Sequence, residues 1–334
     1  MNLCTLFNTD YLDKLLVMYH SLANVSDDFK LYCLCMDKQS ATILKQEKLR
    51  EIIVIELSEV ENEDLATVKT ERSFAEYCWT LTPYIIDYVL KTYRPDSCTY
   101  IDADLFFYQN PKVLINEIEN TKKNIIITEH RFPLENREKM VKMSGKYCVQ
   151  FNYFSNSPDS IRVLESWKQD TLAMSKYTRN GDQKGDQKYL EKWPLNFNNI
   201  HELQHLGGGM APWNVSQYEL INKNNLTFKF NERQFDLVFY HFQGVKYLPL
   251  NIINCNLPFR GKNILDVLYV PYLTKIRLMR KYLEKTYGIK FHNRLSVSNN
   301  PLLRFYQRYI SPFRVRHISN LIRLRKVKIN DTSQ

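Results

Sequence analysis

A chain of 334 residues, of which 44% are hydrophobic and 13% aromatic, is long enough to bury a large core, and nine glycines with twelve prolines exclude collagen-like and low-complexity proteins. Its seven cysteines contain no CxxC pair, so the sequence offers neither a disulfide framework nor a common zinc spacing. This cysteine usage predicts that the protein resides in a reducing cytoplasm. The net charge of +10 is unevenly distributed, because residues 260–334 carry 17 basic and 3 acidic side chains whereas residues 1–259 carry 29 and 33.

Short apolar runs alternate with helical periods through the first half of the chain, which predicts an α/β fold with crossover helices. The first predicted strand covers residues 3–7. Asp10 is expected to cap a helix that has one apolar face. That face consists of Leu12, Leu15, Leu16, Tyr19 and Leu22. Residues 30–36 and 52–55 are the next predicted strands.

A long helix is predicted next, with a restart at Thr82 as cap and Pro83 as the first helical residue. The later predicted elements, in chain order, are strands at residues 98–101, 124–128 and 147–154, a helix from Ser157, and a hairpin at residues 227–242. Beyond Pro258 the pattern becomes helical and basic. We therefore predict an α/β body followed by a basic C-terminal extension.

The strongest candidate site follows the predicted strand at residues 98–101, where the sequence reads Tyr-Ile-Asp-Ala-Asp-Leu-Phe-Phe. This strand ends at the carboxyl edge of the sheet, where α/β folds bind ligands. Alternation along the chain directs Asp102 and Asp104 to the same side, so both carboxylates can reach one hard divalent cation. Such a cation bridges two phosphates and neutralises a departing diphosphate. A strand followed by a polar turn is the alternative interpretation.

Two further segments contain residues that suit sugar or phosphate. Asp186 and Gln187 combine a carboxylate with an amide, which favours contacts to sugar hydroxyls and to developing positive charge. A helix N-cap is the alternative for Asp186. Residues 205–214 contain three consecutive glycines, among them Gly208, whose backbone N–H groups can approach an anion closely. A plain turn between two elements would have the same composition.

His241 lies in an apolar run and is followed by Gly244 and Lys246. Imidazole is a natural third ligand beside two carboxylates for manganese, so His241 is a candidate metal ligand. His205 is the rival ligand, because Gly208 follows it three residues later. A histidine packed in the core is the alternative for either residue.

Taken in order, these segments resemble those of the GT-A glycosyltransferases, in a bacterial branch similar to glycosyltransferase family 8. The resemblance runs from residue 4 to about residue 249. It implies a GT-A, Rossmann-like mixed α/β sheet flanked by helices as the catalytic domain, residues 1–255. Residues 256–334 are then a basic helical C-terminal extension.

The resemblance also implies roles for individual residues. Asp186 and Gln187 would be the catalytic pair beside the anomeric carbon of the donor, and Asp102, Asp104 and His241 would bind Mn²⁺ or Mg²⁺. Contacts to the donor are implied for Thr5, Phe7, Asn8, Tyr11, Asp102, Gly208, Gly244 and Lys246. The lysine stands one residue earlier than in the family pattern, so its assignment is weaker. A plain strand-to-helix turn is the alternative for the residues between 5 and 11.

The predicted reaction is metal-dependent transfer of a hexose or N-acetylhexosamine from a UDP-sugar to a hydroxyl of a surface glycan, which is free or lipid-linked. Retention of the anomeric configuration follows only from the family analogy. A sugar nucleotidyltransferase is one alternative, but the loop after the first strand has no glycine. A non-catalytic glycan-binding subunit is the other, although the carboxylate pair is intact.

The basic tail interleaves charge with large apolar residues. One predicted helical stripe consists of Leu302, Leu303, Tyr306, Tyr309 and Ile310. This composition suits either a peripheral helix on an anionic membrane surface or a helix packed on the protein body. Nucleic acid is not expected as a partner, because no binding motif accompanies the charge. With neither a basic leader nor an uncharged membrane span, we expect a cytoplasmic protein that is peripheral on the inner face of the membrane.

Overall fold

A computed structural model describes residues 1–174, 185–248, 252–257, 262–291 and 321–323, which belong to two compact units, Met1–His241 and Phe242–Gln334. The strands described in the first unit are β1 (Asn2–Phe7), β2 (Lys30–Cys35), β3 (Ile52–Glu56), β4 (Ser97–Ile101), β5 (Leu105–Phe107), β6 (Ile125–Glu129), β7 (Tyr147–Ser155), β8 (Ile200–Glu202), β9 (Glu219–Asn222), β10 (Thr227–Phe230), β11 (Arg233–Asp236) and β12 (Phe239–His241). The helices are α1 (Leu12–Ala23), α2 (Lys38–Glu47), α3 (Leu57–Val60), α4 (Glu63–Glu71), α5 (Phe74–Thr92), α6 (Lys112–Ile115), α7 (Arg137–Ser144), α8 (Pro158–Met174) and α9 (Trp193–Asn196).

The first unit is built on a seven-stranded mixed sheet with the order β3-β2-β1-β4-β7-β6-β8. Strand β1 is parallel to both β2 and β4, whereas β7 is antiparallel to both of its neighbours. Strands β1 and β2 are buried along nearly their whole length, as expected of parallel strands covered by helices on both faces. The predicted α/β sheet with crossover helices is confirmed.

Helices α5 and α8 supply much of the core on one face of this sheet. Trp167 stacks on Phe154 with 6.3 Å between ring centroids, and Leu81, Ile85 and Ile86 are fully buried in the same cluster. Helix α1 packs elsewhere in the unit, where the Ser21 hydroxyl accepts a hydrogen bond from the Phe107 N–H of β5 at 3.0 Å. The five apolar residues predicted for one face of α1 are all buried.

The predicted restart of the long helix at Thr82 is wrong. Helix α5 begins one residue after Ser73, which forms a reciprocal capping box with Glu76, and it runs through Pro83 without interruption. A proline inside a helix removes one backbone hydrogen bond, at a cost of about 3 kcal/mol. Burial of the apolar face on both sides of Pro83 outweighs this cost. The cap of α1 is likewise Tyr11 and not Asp10, because a 3-10 turn at Thr9–Tyr11 precedes the helix.

The described part of the second unit contains strands β13 (Lys246–Leu248), β14 (Ile252–Asn254) and β15 (Leu321–Arg323), which form an antiparallel sheet. Helix α10 (Lys262–Ile264) leads through a π-helical turn at Leu265–Tyr269 into α11 (Val270–Tyr287), as predicted for a helical extension. Strand β15 was not predicted. The apolar stripe predicted for residues 302–310 lies outside the described residues. Across the described ranges, every helix is too short or too polar to cross a bilayer.

Candidate functional site

The two aspartates of the motif lie where β4 leaves the sheet. The Asp102 N–H still donates to the Gln150 carbonyl of β7 at 3.2 Å, and the Leu105 N–H donates back to the Asp102 carbonyl at 3.4 Å. This tight turn directs β5 away from the seven-stranded sheet, so that both carboxylates remain at its carboxyl edge. The structure therefore brings Asp102 and Asp104 together as predicted, but through this turn and not through the alternation of an extended strand.

A two-stranded ladder brings His241 to the same point. Strand β12 is antiparallel to β5, and His241 is the register partner of Leu105, the residue after Asp104. The His241 Nε2 atom lies 3.0 Å from Asp104 Oδ1 and 3.6 Å from Asp102 Oδ2. One ligand atom from each of the three residues lies within 4.8 Å of the other two. Asp104 and His241 are buried, while Asp102 keeps 29% of its side chain exposed.

These three side chains fit a divalent cation. Two carboxylate oxygens and one imidazole nitrogen are ligand types that manganese accepts, and magnesium accepts the carboxylates. The other imidazole nitrogen of His241, Nδ1, lies 2.8 Å from Gln150 Oε1. The amide oxygen can only accept, so Nδ1–H donates this hydrogen bond and Nε2 faces the two carboxylates. A metal-ligating histidine is usually oriented in this way by a neighbouring acceptor.

The charges of the three groups are strongly coupled. Burial raises the pKa of Asp104, but His241 and Lys14 outweigh burial and lower this pKa to about 2. Burial lowers the pKa of His241, while the carboxylates of Asp104 and Asp102 raise it to about 10. Burial raises the pKa of Asp102 to about 6, against the influence of His241. In the metal-free protein, an imidazolium therefore partly balances the two carboxylates.

Gln150 was not singled out from the sequence. Its only signal there is a polar residue within the apolar run that becomes β7. Gly209 packs against it with φ of +95°, and a Cβ atom on Gly209 would lie 2.8 Å from Thr128 Cγ2 and 3.1 Å from Gln150 Nε2. A side chain at position 209 would therefore displace the amide that orients His241.

The glycine-rich loop is held by the guanidinium of Arg131. This buried group donates hydrogen bonds to the carbonyls of three loop residues, His205, Leu206 and Gly208, and to the carbonyl of Leu203, which lies just before the loop. The Gly207 carbonyl in turn accepts from the N–H groups of Val238 and Phe239, and the His241 N–H donates to the Met210 carbonyl at 2.9 Å. The loop therefore fixes β12, and with it His241.

His205 is not brought to the carboxylates. Its Nδ1 atom accepts a hydrogen bond from the Gly207 N–H at 3.1 Å, and the metal-site cluster found within the described ranges does not include it. Gly208 is buried, and its N–H donates to the His205 carbonyl at 3.1 Å. A Cβ atom on Gly208 would meet the side chains of Leu114 and Leu203 at 2.9 Å. The geometry of Gly208 thus explains close packing, and its contact with a donor stays a prediction.

Asp186 lies at the start of a 3-10 helix, Gln187–Lys192, and no hydrogen bond from its side chain caps that helix. Its carbonyl accepts from Trp167 Nε1 at 3.1 Å, which anchors the segment to α8. Burial raises the pKa of Asp186 to about 7, the Thr82 hydroxyl lowers it, and the nearby charge of Asp102 raises it further. The charge of Asp102, one of the metal-site carboxylates, therefore acts on Asp186.

Gln187 and the glycine before Asp186 are also fixed by specific contacts. The Gln187 side-chain amide donates to the Ser144 carbonyl at 2.5 Å. Gly185 has φ of +63°, and a Cβ atom on it would lie 3.2 Å from the ring of Trp79. Only glycine combines this conformation with such a close approach. The sequence contains a second Asp-Gln pair, Asp182–Gln183, which lies outside the described residues.

The loop after β1 offers one exposed ring. Tyr11 is 43% exposed, whereas Phe7 is 3% exposed and belongs to the core, so a stacking contact with a base suits Tyr11 better than Phe7. The Asn8 carbonyl accepts from the Tyr11 N–H at 2.9 Å, which closes the turn. Thr5 is buried, and its hydroxyl has no hydrogen-bond partner among the described residues.

Lys14 is a site residue that the sequence did not reveal. Its ammonium lies 3.6 Å from the centroid of the Tyr11 ring and 3.8 Å from Asp104 Oδ2. A lysine at this position of a helix would ordinarily be assigned to the solvated face.

Gly244 and Lys246 belong to the second unit, where Gly244 has φ of +77° and packs against Asn256. Their contacts with a donor stay predictions.

Comparison with known proteins identifies the fold. No family model matches the chain. Two proteins of Bacillus subtilis strain 168 are similar in sequence. The uncharacterized protein YfnD is 28% identical over 281 residues, which cover 82% of this chain and 88% of YfnD. The uncharacterized protein YfnF is 28% identical over 257 residues, which cover 75% of this chain and 83% of YfnF.

Solved structures of the galactosyltransferase LgtC are similar to the protein in fold. The complex of LgtC with donor and acceptor sugar analogs has a TM-score of 0.53 at 10% identity, covering 83% of this chain and 96% of that chain. An active-site mutant of LgtC has a TM-score of 0.51 at 11% identity, and the match covers 74% of this chain and 88% of the LgtC chain. The protein therefore has the fold of the GT-A glycosyltransferases, which confirms the predicted fold class.

Proposed function

We propose that the protein is a metal-dependent glycosyltransferase that transfers a sugar from a nucleotide-diphosphate donor to a hydroxyl group. The observation that carries this proposal is the convergence of Asp102, Asp104 and His241 at the carboxyl edge of β4 in a GT-A sheet. In such folds ligands bind at that edge. The cluster consists of one buried carboxylate, one buried imidazole and one partly exposed carboxylate. This combination suits a cation that also contacts phosphate.

Each residue of the site has a separate role in the proposed reaction. Asp102, Asp104 and His241 would hold the cation, which supplies positive charge to the diphosphate leaving group. Tyr11 presents an exposed ring for the nucleotide base. The bond between the anomeric carbon and the diphosphate oxygen breaks as that carbon bonds to the acceptor oxygen. The nucleotide diphosphate leaves with the electron pair of the broken bond, and the acceptor proton passes to it or to solvent. Asp186 has a pKa of about 7 and neighbours Asp102, so its carboxylate suits positive charge at the anomeric carbon.

The finer assignments extend this proposal. The donor is a UDP-hexose or UDP-N-acetylhexosamine, the cation is Mn²⁺ or Mg²⁺, and Asp186 with Gln187 forms the catalytic pair of a retaining enzyme. The acceptor is a free or lipid-linked glycan in polysaccharide biosynthesis, handled by a cytoplasmic enzyme at the membrane surface. Gly244 and Lys246 contact the diphosphate. Support for these assignments comes from the motif order and, for the membrane, from the basic tail.

Nucleotide release from a panel of nucleotide sugars, with and without Mn²⁺, tests the proposal. Asp102→Asn and Asp104→Asn should each reduce transfer by about a hundredfold or more, because each removes one charged ligand of the cation. Asp102→Asn should keep the melting temperature of the unmodified protein to within a few degrees, whereas Asp104→Asn should lower it more, because Lys14 and His241 lose a buried counter-charge. Activity that survives EDTA and both substitutions would contradict metal dependence. NMR of the product then decides between retention and inversion.

A further inference from the structure

Lys14 is a buried charge that the proposed function leaves without a role. Its side chain is 9% exposed, and its ammonium lies between the Tyr11 ring, 3.6 Å from the centroid, and Asp104 Oδ2 at 3.8 Å. Burial of an ammonium is unfavourable unless charged or polar groups surround it. The position of Lys14 therefore depends on the residues that the proposal assigns to the base and to the cation.

The location of Lys14 in its helix adds to the electrostatic cost of burying its ammonium. Lys14 lies in the first turn of α1, three residues after Tyr11. The N-terminus of a helix carries partial positive charge, so a lysine there is disfavoured by the helix itself. Asp104 and Asp13, which is buried in the same helical turn, both offer compensating negative charge. Of the two, Asp104 belongs to the metal cluster, so the ammonium is held directly beside that cluster.

On the basis of the proposed function, we infer that Lys14 is a second counter-ion of Asp104 in the metal-free protein, beside His241, and makes binding of the divalent cation depend on the bound donor. The ammonium and the cation would share one carboxylate. Two positive charges a few ångströms apart in a buried site repel each other strongly. Lys14 therefore weakens cation binding as long as no other anion is present.

A donor diphosphate would change this balance. Its negative charge attracts both the ammonium and the cation, so it offsets the repulsion between them. Tyr11 contacts Lys14 directly, which places the ammonium beside the exposed ring assigned to the base. Because coupling between two ligands is reciprocal, the cation would tighten nucleotide binding by the same factor. Lys14 is thus a positioning residue for charge and not a catalytic residue.

The test measures Mn²⁺ binding to the full-length protein by electron paramagnetic resonance of the free ion, with and without UDP. Lys14→Met keeps the aliphatic stem and removes the charge, whereas Lys14→Arg keeps the charge. Lys91→Met is the matched control, because it removes an ammonium paired with Asp87 and Glu165 away from the metal cluster. Thermal melts of all variants verify that each is folded.

Without UDP, Lys14→Met should bind Mn²⁺ about tenfold more tightly than the unmodified protein, since the repulsion is gone. The factor by which UDP tightens Mn²⁺ binding should shrink about tenfold in the same variant. Lys14→Arg and Lys91→Met should stay within about threefold of the unmodified protein in both measurements.

Equal or weaker Mn²⁺ binding by Lys14→Met without UDP would overturn the role of Lys14. Lys14→Gln removes the same charge and serves as the decisive variant if Lys14→Met does not fold. A structural role alone would lower the melting temperature and leave the effect of UDP unchanged. Failure of the unmodified protein to bind Mn²⁺, even with UDP, would instead overturn the proposed function.

Discussion

His241 and His205 are each followed three residues later by a glycine, yet only His241 meets the carboxylates. If His241 is the ligand, His241→Ala should raise the Mn²⁺ concentration for half-maximal activity by about tenfold or more. His205→Ala should leave that concentration nearly unchanged, because its Nδ1 atom bonds to the Gly207 N–H within the loop. Titration of activity with Mn²⁺ gives both values. The opposite ranking would move the ligand role to the glycine-rich loop.

The same histidine predicts how cation binding varies with pH. Burial lowers the pKa of His241, but the carboxylates of Asp104 and Asp102 raise it to about 10, so the ring is protonated at neutral pH in the metal-free protein. A metal ligand must be the neutral imidazole, and binding therefore releases one proton. Mn²⁺ affinity should rise about tenfold for each pH unit between about 7 and 9.

Calorimetry in buffers with different ionisation enthalpies counts the released protons directly. His241→Ala is the control, since it should release close to none at the same pH. A pH-independent affinity in the unmodified protein would show that His241 is already neutral or is not a ligand.

At the scale of elements, the glycine-rich loop and β12 act as one support for the site. Gly209→Ala should lower the free energy of unfolding by about 1–3 kcal/mol, because φ is +95° and the new methyl group would meet Thr128 and Gln150. It should also weaken Mn²⁺ binding, since Gln150 orients His241. Denaturant unfolding and Mn²⁺ titration measure the two effects.

Gly288→Ala is the matched control for backbone strain. Gly288 has φ of +68°, and a Cβ atom there would meet nothing within 4 Å. This substitution should cost about 1 kcal/mol and leave Mn²⁺ binding unaffected. If the two substitutions affected Mn²⁺ binding equally, the glycine-rich loop would have no role in positioning His241.

At the scale of the whole molecule, charge is divided between a nearly neutral body and a basic tail. Removal of residues 301–334 would also remove β15, which pairs with β14. A truncated protein could therefore lose vesicle binding through lost charge or through altered folding. Substitution of Arg325, Lys326 and Lys328 by serine removes three charges and leaves β15 intact. Because each basic side chain near an anionic surface contributes about 1 kcal/mol, binding to anionic vesicles should fall about a hundredfold.

Co-sedimentation with vesicles measures this binding, and rising salt should release the unmodified protein because surface charges are screened over about 8 Å at physiological ionic strength. Neutral vesicles are the control. Unchanged binding to anionic vesicles after the triple substitution would contradict a membrane role for this part of the tail.

Sequence patterns alone determined most of the sheet, because apolar alternation and helical periodicity are local properties of the chain. They located β1, β2, β3, β4, β6 and β7 to within about two residues. The pair Asp102–Asp104 is also evident from the sequence, since two carboxylates follow an apolar strand directly, although a turn and not strand alternation brings them together. The capping box of Ser73 and Glu76 that begins α5 is a local signal, whereas the continuation of the helix through Pro83 depends on tertiary packing and is missed from the sequence.

Only the tertiary structure decided which distant residues complete the site. Gln150 and His241 are 91 positions apart, and the pairing of β5 with β12 that joins the regions around Asp104 and His241 has no local signature. The choice between His241 and His205 depends on that pairing. Lys14 resembles any surface lysine until α1 packs beside β5. Contacts across such separations follow from chain topology and burial, which no local pattern of residues specifies.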